Sequence, residues 1–194
     1  QLLPRRHQPG VVKGVVSDHA GAWYVTTDDS VLHISAAGRV RSVATLEGAD
    51  LRGFAISPNG SALFVADWGG NKILQVQVEA AGGAVTTLAG SGTRGSADGV
   101  GGAAQFDNPS GVAISPDGSA LFVADWGGNK ILQVQVEAAG GAVTTLAGSG
   151  TRGSADGVGG AAQFTNPLGV AISTDGSALL VCTNDGGLRQ VCVA

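Results

Sequence analysis

The chain has 194 residues, of which 43% are hydrophobic, 13% are charged and 33 are glycine, a composition that can bury a core but excludes a coiled coil or a long-helix protein. Its formal charge of −4 is the wrong balance for gripping a polyanion, so no nucleic-acid partner is expected. No apolar run reaches the roughly 18 residues of a membrane span, and Gln1–Arg6 lacks the apolar stretch of a signal peptide, so membrane insertion is not expected either. The absence of methionine, even at position 1, reads as a processed product or an excerpt of a longer chain.

In chain order, the first 52 residues alternate apolar and polar side chains over 12–17, 22–27, 31–35 and 39–46, with breaks at 18–21, 28–30 and 36–38. Period-two alternation bounded by turn residues predicts four short strands. Next comes a repeat. Gly53–Ser110 and Gly111–Leu168 are each 58 residues long and differ only at Phe54/Val112, Asn59/Asp117, Asp107/Thr165 and Ser110/Leu168. The second copy predicts strands at 111–115, 120–124, 130–136 and 142–147. They are separated by a Pro116-Asp117-Gly118 turn, by the Asx- and glycine-rich stretch 125–129, and by Gly140-Gly141. The remaining stretch, 148–167, is too rich in glycine for a regular element and reads as a connection to the next unit. A third copy starts at Gly169 and runs to Ala194.

Four antiparallel strands followed by a long connection describe the blade of a β-propeller. The predicted fold is therefore all-β: one domain, 1–194, with blades at about 12–52, 53–110, 111–168 and 169–194. Three blades are whole and the fourth is partial, either because the chain is part of a larger ring or because residues 1–8 complete the last blade of a four-bladed one. Parity along the strands predicts that Ile56, Leu63 and Val65, with their equivalents Ile114, Leu121 and Val123, pack between blades.

The stretches Asn108-Pro109-Ser110-Gly111-Val112-Ala113-Ile114-Ser115, Leu121–Asp125, Asn129–Ile131 and Val143–Gly150 recur in order at a fixed period. Together they resemble the NHL-repeat family of β-propellers, and 153–157 and 161–164 look like that family's inter-blade connection. The resemblance implies a propeller and a choice among extracellular enzymes, RNA-binding domains and interaction scaffolds. NHL propellers usually have six blades, more than are encoded here.

Propeller lyase or hydrolase chemistry needs ligands or acid–base groups converging from several blades. His7, His19 and His33 all lie in the first 33 residues, and neither long repeat has a histidine, so no catalytic or metal site and no cofactor is expected. Asp67-Trp68 and Asp125-Trp126 are the conspicuous polar–aromatic pairs. Structurally, the aspartate would bond turn amides while the tryptophan covers the neighbouring blade. Functionally, Trp68, Trp126, Asp67 and Asp125 are the candidate partner-binding residues, tryptophan being enriched at binding hot spots.

Asp98 and Asp156 supply one carboxylate per loop, too few for calcium, and are expected to meet Arg94 and Arg152. A turn centred on Asp185-Gly186 would set Cys182 opposite Arg189 and place Cys182 and Cys192 on opposite faces of a hairpin, whereas a register shifted by one would put them on one face. Read whole, the sequence points to a non-catalytic protein–protein interaction scaffold, a component of a multi-chain assembly. The alternative is a fragment of a propeller lyase or lactonase-type enzyme whose active residues lie outside this chain.

Overall fold

The computed structural model describes residues 11–18, 21–78, 83–136 and 140–193. Blade 1 is the meander β1 (Gly14–Ser17), β2 (Trp23–Thr26), β3 (Ser30–Ile34) and β4 (Val40–Thr45). Blade 2 is β5 (Leu51–Ile56), β6 (Ala62–Asp67), β7 (Lys72–Gln77) and β8 (Val85–Ala89). Blade 3 contains β10 (Pro109–Ile114), β11 (Ala120–Asp125), β12 (Lys130–Gln135) and β13 (Ala142–Ala147), and a two-residue strand, β9 (Gly99–Val100), pairs with β13 at its outer edge. Blade 4 has β14 (Pro167–Ile172), β15 (Ala178–Thr183) and β16 (Leu188–Cys192). The predicted strands form, and the only helical segments among the described residues are 3-10 turns such as Gly101–Ala103 and Gly159–Ala161.

The connections depart from expectation. Read as irregular, 90–108 instead folds on itself through a parallel bridge between Arg94 and Phe106, makes a 3-10 turn, and lends β9 to the blade that follows. Sequence reasoning missed this because the pairing partner, Ala142-Val143, lies more than 40 residues downstream, and glycine content alone says nothing of tertiary pairing.

The first strands of successive blades lie side by side, and glycine sets how closely. A Cβ on Gly53 would stand 2.7 Å from the Ser110 carbonyl oxygen, and one on Gly111 would stand 2.7 Å from that of Leu168 and 2.8 Å from the Gly169 Cα. Both are distances that non-bonded atoms do not tolerate. Backbone therefore packs on backbone here, a contact only a residue without a side chain permits.

Away from this hub, apolar side chains fill the inter-blade spaces. Leu51, Phe54, Ile56, Leu63 and Val65 of blade 2 pack on Tyr24, Val31 and Val43 of blade 1. Leu121, Val123, Leu132 and Val134 of blade 3 pack on Phe64, Ala66 and Ile73 of blade 2, with Ile114 at the margin. The predicted inter-blade set is thus in place. Val123 is fully buried, so Val123→Ala is expected to cost roughly 1–3 kcal/mol through lost burial and the cavity left behind. A denaturant melt with an unchanged midpoint would refute that placement.

Among the described residues the stack is open at its last blade. Phe122 of blade 3 is 1% exposed against blade 4, whereas its equivalent in blade 4, Leu180, is 49% exposed. In the β15–β16 hairpin Cys182 stands opposite Leu188 and Ala178 opposite Cys192, so both cysteines lie on this open face and are free and exposed. The register differs from the two-residue turn read from the sequence because the loop has three residues, with Gly186 at φ +82° closing it and its N–H donating to the Thr183 carbonyl. Four residues of strand, about 13 Å, separate the two thiol positions along the sheet, too far for a disulfide.

Candidate functional site

The turns after β6 and β11 carry the candidate residues. In the first, the Asp67 carboxylate accepts the N–H of Gly70 at 2.9 Å and that of Asp50 at 3.2 Å. In the second, Asp125 accepts the N–H of Asp107 at 2.8 Å. Both aspartates therefore hold backbone in place, with little carboxylate surface left for a partner. Two asparagines that sequence reasoning did not single out as site residues complete the turns. Asn71 and Asn129 take φ of 52° and 53°. Their side-chain oxygens accept the N–H groups of Asn108 and Asn166 at 2.9 and 3.0 Å. Asn108 and Asn166 in turn donate side-chain N–H to the carbonyls of Trp68 and Trp126, both at 3.1 Å. Each turn is thereby tied to the segment entering the next blade. The available signal was an asparagine ending each glycine turn together with an asparagine before each inner-strand proline.

Fixing these turns brings the two tryptophans together. Trp68 and Trp126 are half-buried, with ring centroids 5.0 Å apart and planes at 52°, the tilted geometry that aromatic quadrupoles favour. The Arg52 guanidinium sits 5.0 Å from the Trp68 ring and 3.0 Å from the Asp50 carboxylate. The result is a rigid ladder, Arg52–Trp68–Trp126, running from blade 2 to blade 3. It stops at blade 4, where Asn184 follows Thr183 at the position of the Asp–Trp pair.

Asp125 is fully buried, and its Oδ2 finds no hydrogen-bond partner among the described residues. Desolvation, with the Asp107 carboxylate adding to it, holds its pKa well above the ordinary carboxylate value against the opposing pull of the Asp107 N–H, Lys130 and Arg94. A carboxyl whose pKa is raised by folding adds stability while protonated and loses it as pH climbs from the ordinary carboxylate value through the folded one. Asp125→Asn is therefore expected to flatten the fall in melting temperature of the wild type on going from about pH 4 toward neutrality. Parallel wild-type and variant curves would contradict this.

The other sequence-stated candidates are placed differently. Arg94 pairs with Asp107 at 2.5 Å, not with Asp98, and Asp156 pairs with Arg189. The first connection folds back so that residues 13 positions apart meet, whereas Asp156 of the second meets Arg189 on β16, 33 positions on. His33 packs on Tyr24 at 5.0 Å, with its pKa lowered by burial and then by Arg41. His7, His19 and the expected role of residues 1–8 lie outside the described residues. Among the described residues no three His, Cys, Asp or Glu side chains converge as a metal site would require.

No family model and no curated protein matches the chain. Solved structures do. An auxiliary nutrient binding protein from Bacteroides thetaiotaomicron is 19% identical with a TM-score of 0.77, over 92% of this chain and 47% of that one. A structural-genomics protein of unknown function from the same organism is 17% identical with a TM-score of 0.80, over 95% and 48%. Virginiamycin B lyase from Staphylococcus aureus is 15% identical with a TM-score of 0.56, over 94% and 55%. The fold is that of a β-propeller, of which three whole blades and a partial fourth are present. The chain spans about half the length of the structures it matches.

Proposed function

We propose that the chain is a non-catalytic interaction module, an NHL-type propeller segment that presents the Arg52–Trp68–Trp126 ladder to a protein partner within a larger assembly. The observation that carries this reading is the ladder. Two half-buried indoles and a guanidinium are the residue types that dominate interface hot spots, and here their turns are locked by Asp67, Asp125 and the asparagine pairs, so little side-chain entropy remains to be lost on docking. The recurring Asn-Pro-x-Gly inner-strand motif supports the NHL assignment. The four aspartates around the ladder are engaged with backbone or with arginine, which supports binding over acid–base chemistry.

The test is site-directed cross-linking from a benzophenone side chain placed at Asn184, beside the ladder, with Trp68→Ala and Trp126→Ala as competitors. A specific cross-linked protein is expected, displaced by wild-type chain about tenfold better than by either variant. Equal displacement by all three chains would reject the ladder as the binding surface.

A further inference from the structure

The hairpin between β5 and β6 differs from its two sisters in one functional group. It reads Ser57-Pro58-Asn59-Gly60-Ser61, whereas the corresponding turns of blades 3 and 4 read Ser115-Pro116-Asp117-Gly118-Ser119 and Ser173-Thr174-Asp175-Gly176-Ser177. Blade 2 therefore presents an amide where the other two present a carboxylate, and Asn59-Gly60-Ser61 is the acceptor pattern for an N-linked glycan. The sequence holds six asparagines and no second instance of that pattern. Asn108-Pro109-Ser110 has the spacing, but proline in the middle blocks transfer, and the Asn108 Nδ2 is already committed to the Trp68 carbonyl at 3.1 Å.

The turn holds the Asn59 side chain in one orientation. Its Oδ1 accepts the Ser57 hydroxyl at 2.8 Å, the Ser61 hydroxyl at 2.8 Å and the Ser61 N–H at 3.1 Å. Every bond to the amide thus goes to its oxygen, and among the described residues Nδ2, the atom that carries a glycan, donates to nothing. The hydroxyl that the third residue of the pattern must supply is the one already on the amide. Asn59 is exposed, and a Cβ placed on Gly60 would have no atom within 4 Å, so the space beside the amide is open. Each of these bonds lies within two residues of Asn59, so the arrangement belongs to the segment itself and does not wait for the blades to assemble.

We propose that Asn59 is an N-glycosylation site, modified on a secretory route by transfer from a lipid-pyrophosphate-linked oligosaccharide. In that step the anomeric carbon of the sugar forms a C–N bond to Asn59 Nδ2 and its C–O bond to the pyrophosphate breaks. The lipid pyrophosphate leaves, and the amide gives up one proton. The fold accommodates the product. Asn59 and Trp68 flank opposite ends of β6, whose six residues span about 20 Å, so a glycan on this turn leaves the tryptophan ladder uncovered. The modification and the ladder stand or fall independently.

The experiment expresses the full chain behind a cleavable secretion leader in eukaryotic cells. Intact mass and peptide mapping are recorded before and after peptide-N-glycosidase treatment in heavy-oxygen water. Secreted and cell-retained chain are both measured, so a variant that folds poorly is still scored. A single glycan at Asn59 is expected, released by the glycosidase with heavy oxygen taken up at that residue. Asn59→Gln and Ser61→Ala should lose the glycan, while Ser61→Thr, which keeps the hydroxyl, should retain it. Three outcomes would overturn the proposal. These are a chain that carries no glycan at Asn59, a glycan that persists in Ser61→Ala, and conversion of Asn59 to aspartate without heavy oxygen, which marks spontaneous deamidation of the Asn-Gly bond in place of glycosylation.

Discussion

Replacing Gly111 by alanine is expected to destabilise the chain by about 3 kcal/mol or more, at or above the upper end of what overpacking costs, because the atoms in the way are backbone. The new methyl group would meet the Leu168 carbonyl oxygen at 2.7 Å, the Gly169 Cα at 2.8 Å and the Val170 nitrogen at 2.9 Å. None of these can rotate aside as a side-chain tip could. Relief requires that β14 move away from β10, which pulls blade 4 off blade 3. For a chain of this length a loss of 3 kcal/mol corresponds to a fall of roughly 6–12 °C in melting temperature. Gly102→Ala is the control: a Cβ there has no atom within 4 Å, and a change within about 0.5 kcal/mol is expected. If the two variants melt together, the inner strands do not meet as described.

The strands were legible because each is short and ends at residues whose conformational preferences are local. Pro116-Asp117-Gly118 shows how local. The Asp117 carboxylate is held at about pKa 2 by bonds from the Ser115 and Ser119 side chains and the Ser119 N–H, all within two residues of it. Inter-blade packing of Leu63, Val65, Leu121 and Val123 followed from parity alone. Where a feature depended on chain far away, the reading failed. Arg94 finds Asp107 and not Asp98 because Asp98 is claimed by Thr145, 47 residues on. The cysteine register turned on whether two or three residues close one hairpin, and Gly186 decides that by taking the left-handed conformation. The candidate site divides the same way. That Asp67 would bond a turn amide, that of Gly70, was readable from its neighbours, whereas Asp125 holds the Asp107 N–H 18 residues before it, and the meeting of Trp68 with Trp126 and Arg52 required knowing which blades adjoin and how closely.

Phe164→Ala is expected to cost about 3–5 kcal/mol, the range for deleting a buried aromatic side chain. Its ring is 1% exposed and lies in the cluster formed by Phe122, Ala124 and Ile131 of blade 3 with Leu179 and Val181 of blade 4. It comes from neither blade but from the connection between them, so it acts as a wedge that both sheets grip. The Arg189 guanidinium, 5.3 Å from the ring, loses its aromatic partner in the variant while keeping its bond to the Gln163 carbonyl, a secondary loss of roughly 0.5–1 kcal/mol. Because blades contact only their neighbours, the damage should be directional. Native-state hydrogen exchange is expected to accelerate through β14–β16 and to stay near wild-type in β5–β8. Phe106→Ala, the same chemistry one blade earlier, should instead accelerate exchange through blades 3 and 4 together. Uniform acceleration across all blades in the Phe164 variant would mean that the chain unfolds as one unit and that the wedge does not hold blade 4 specifically.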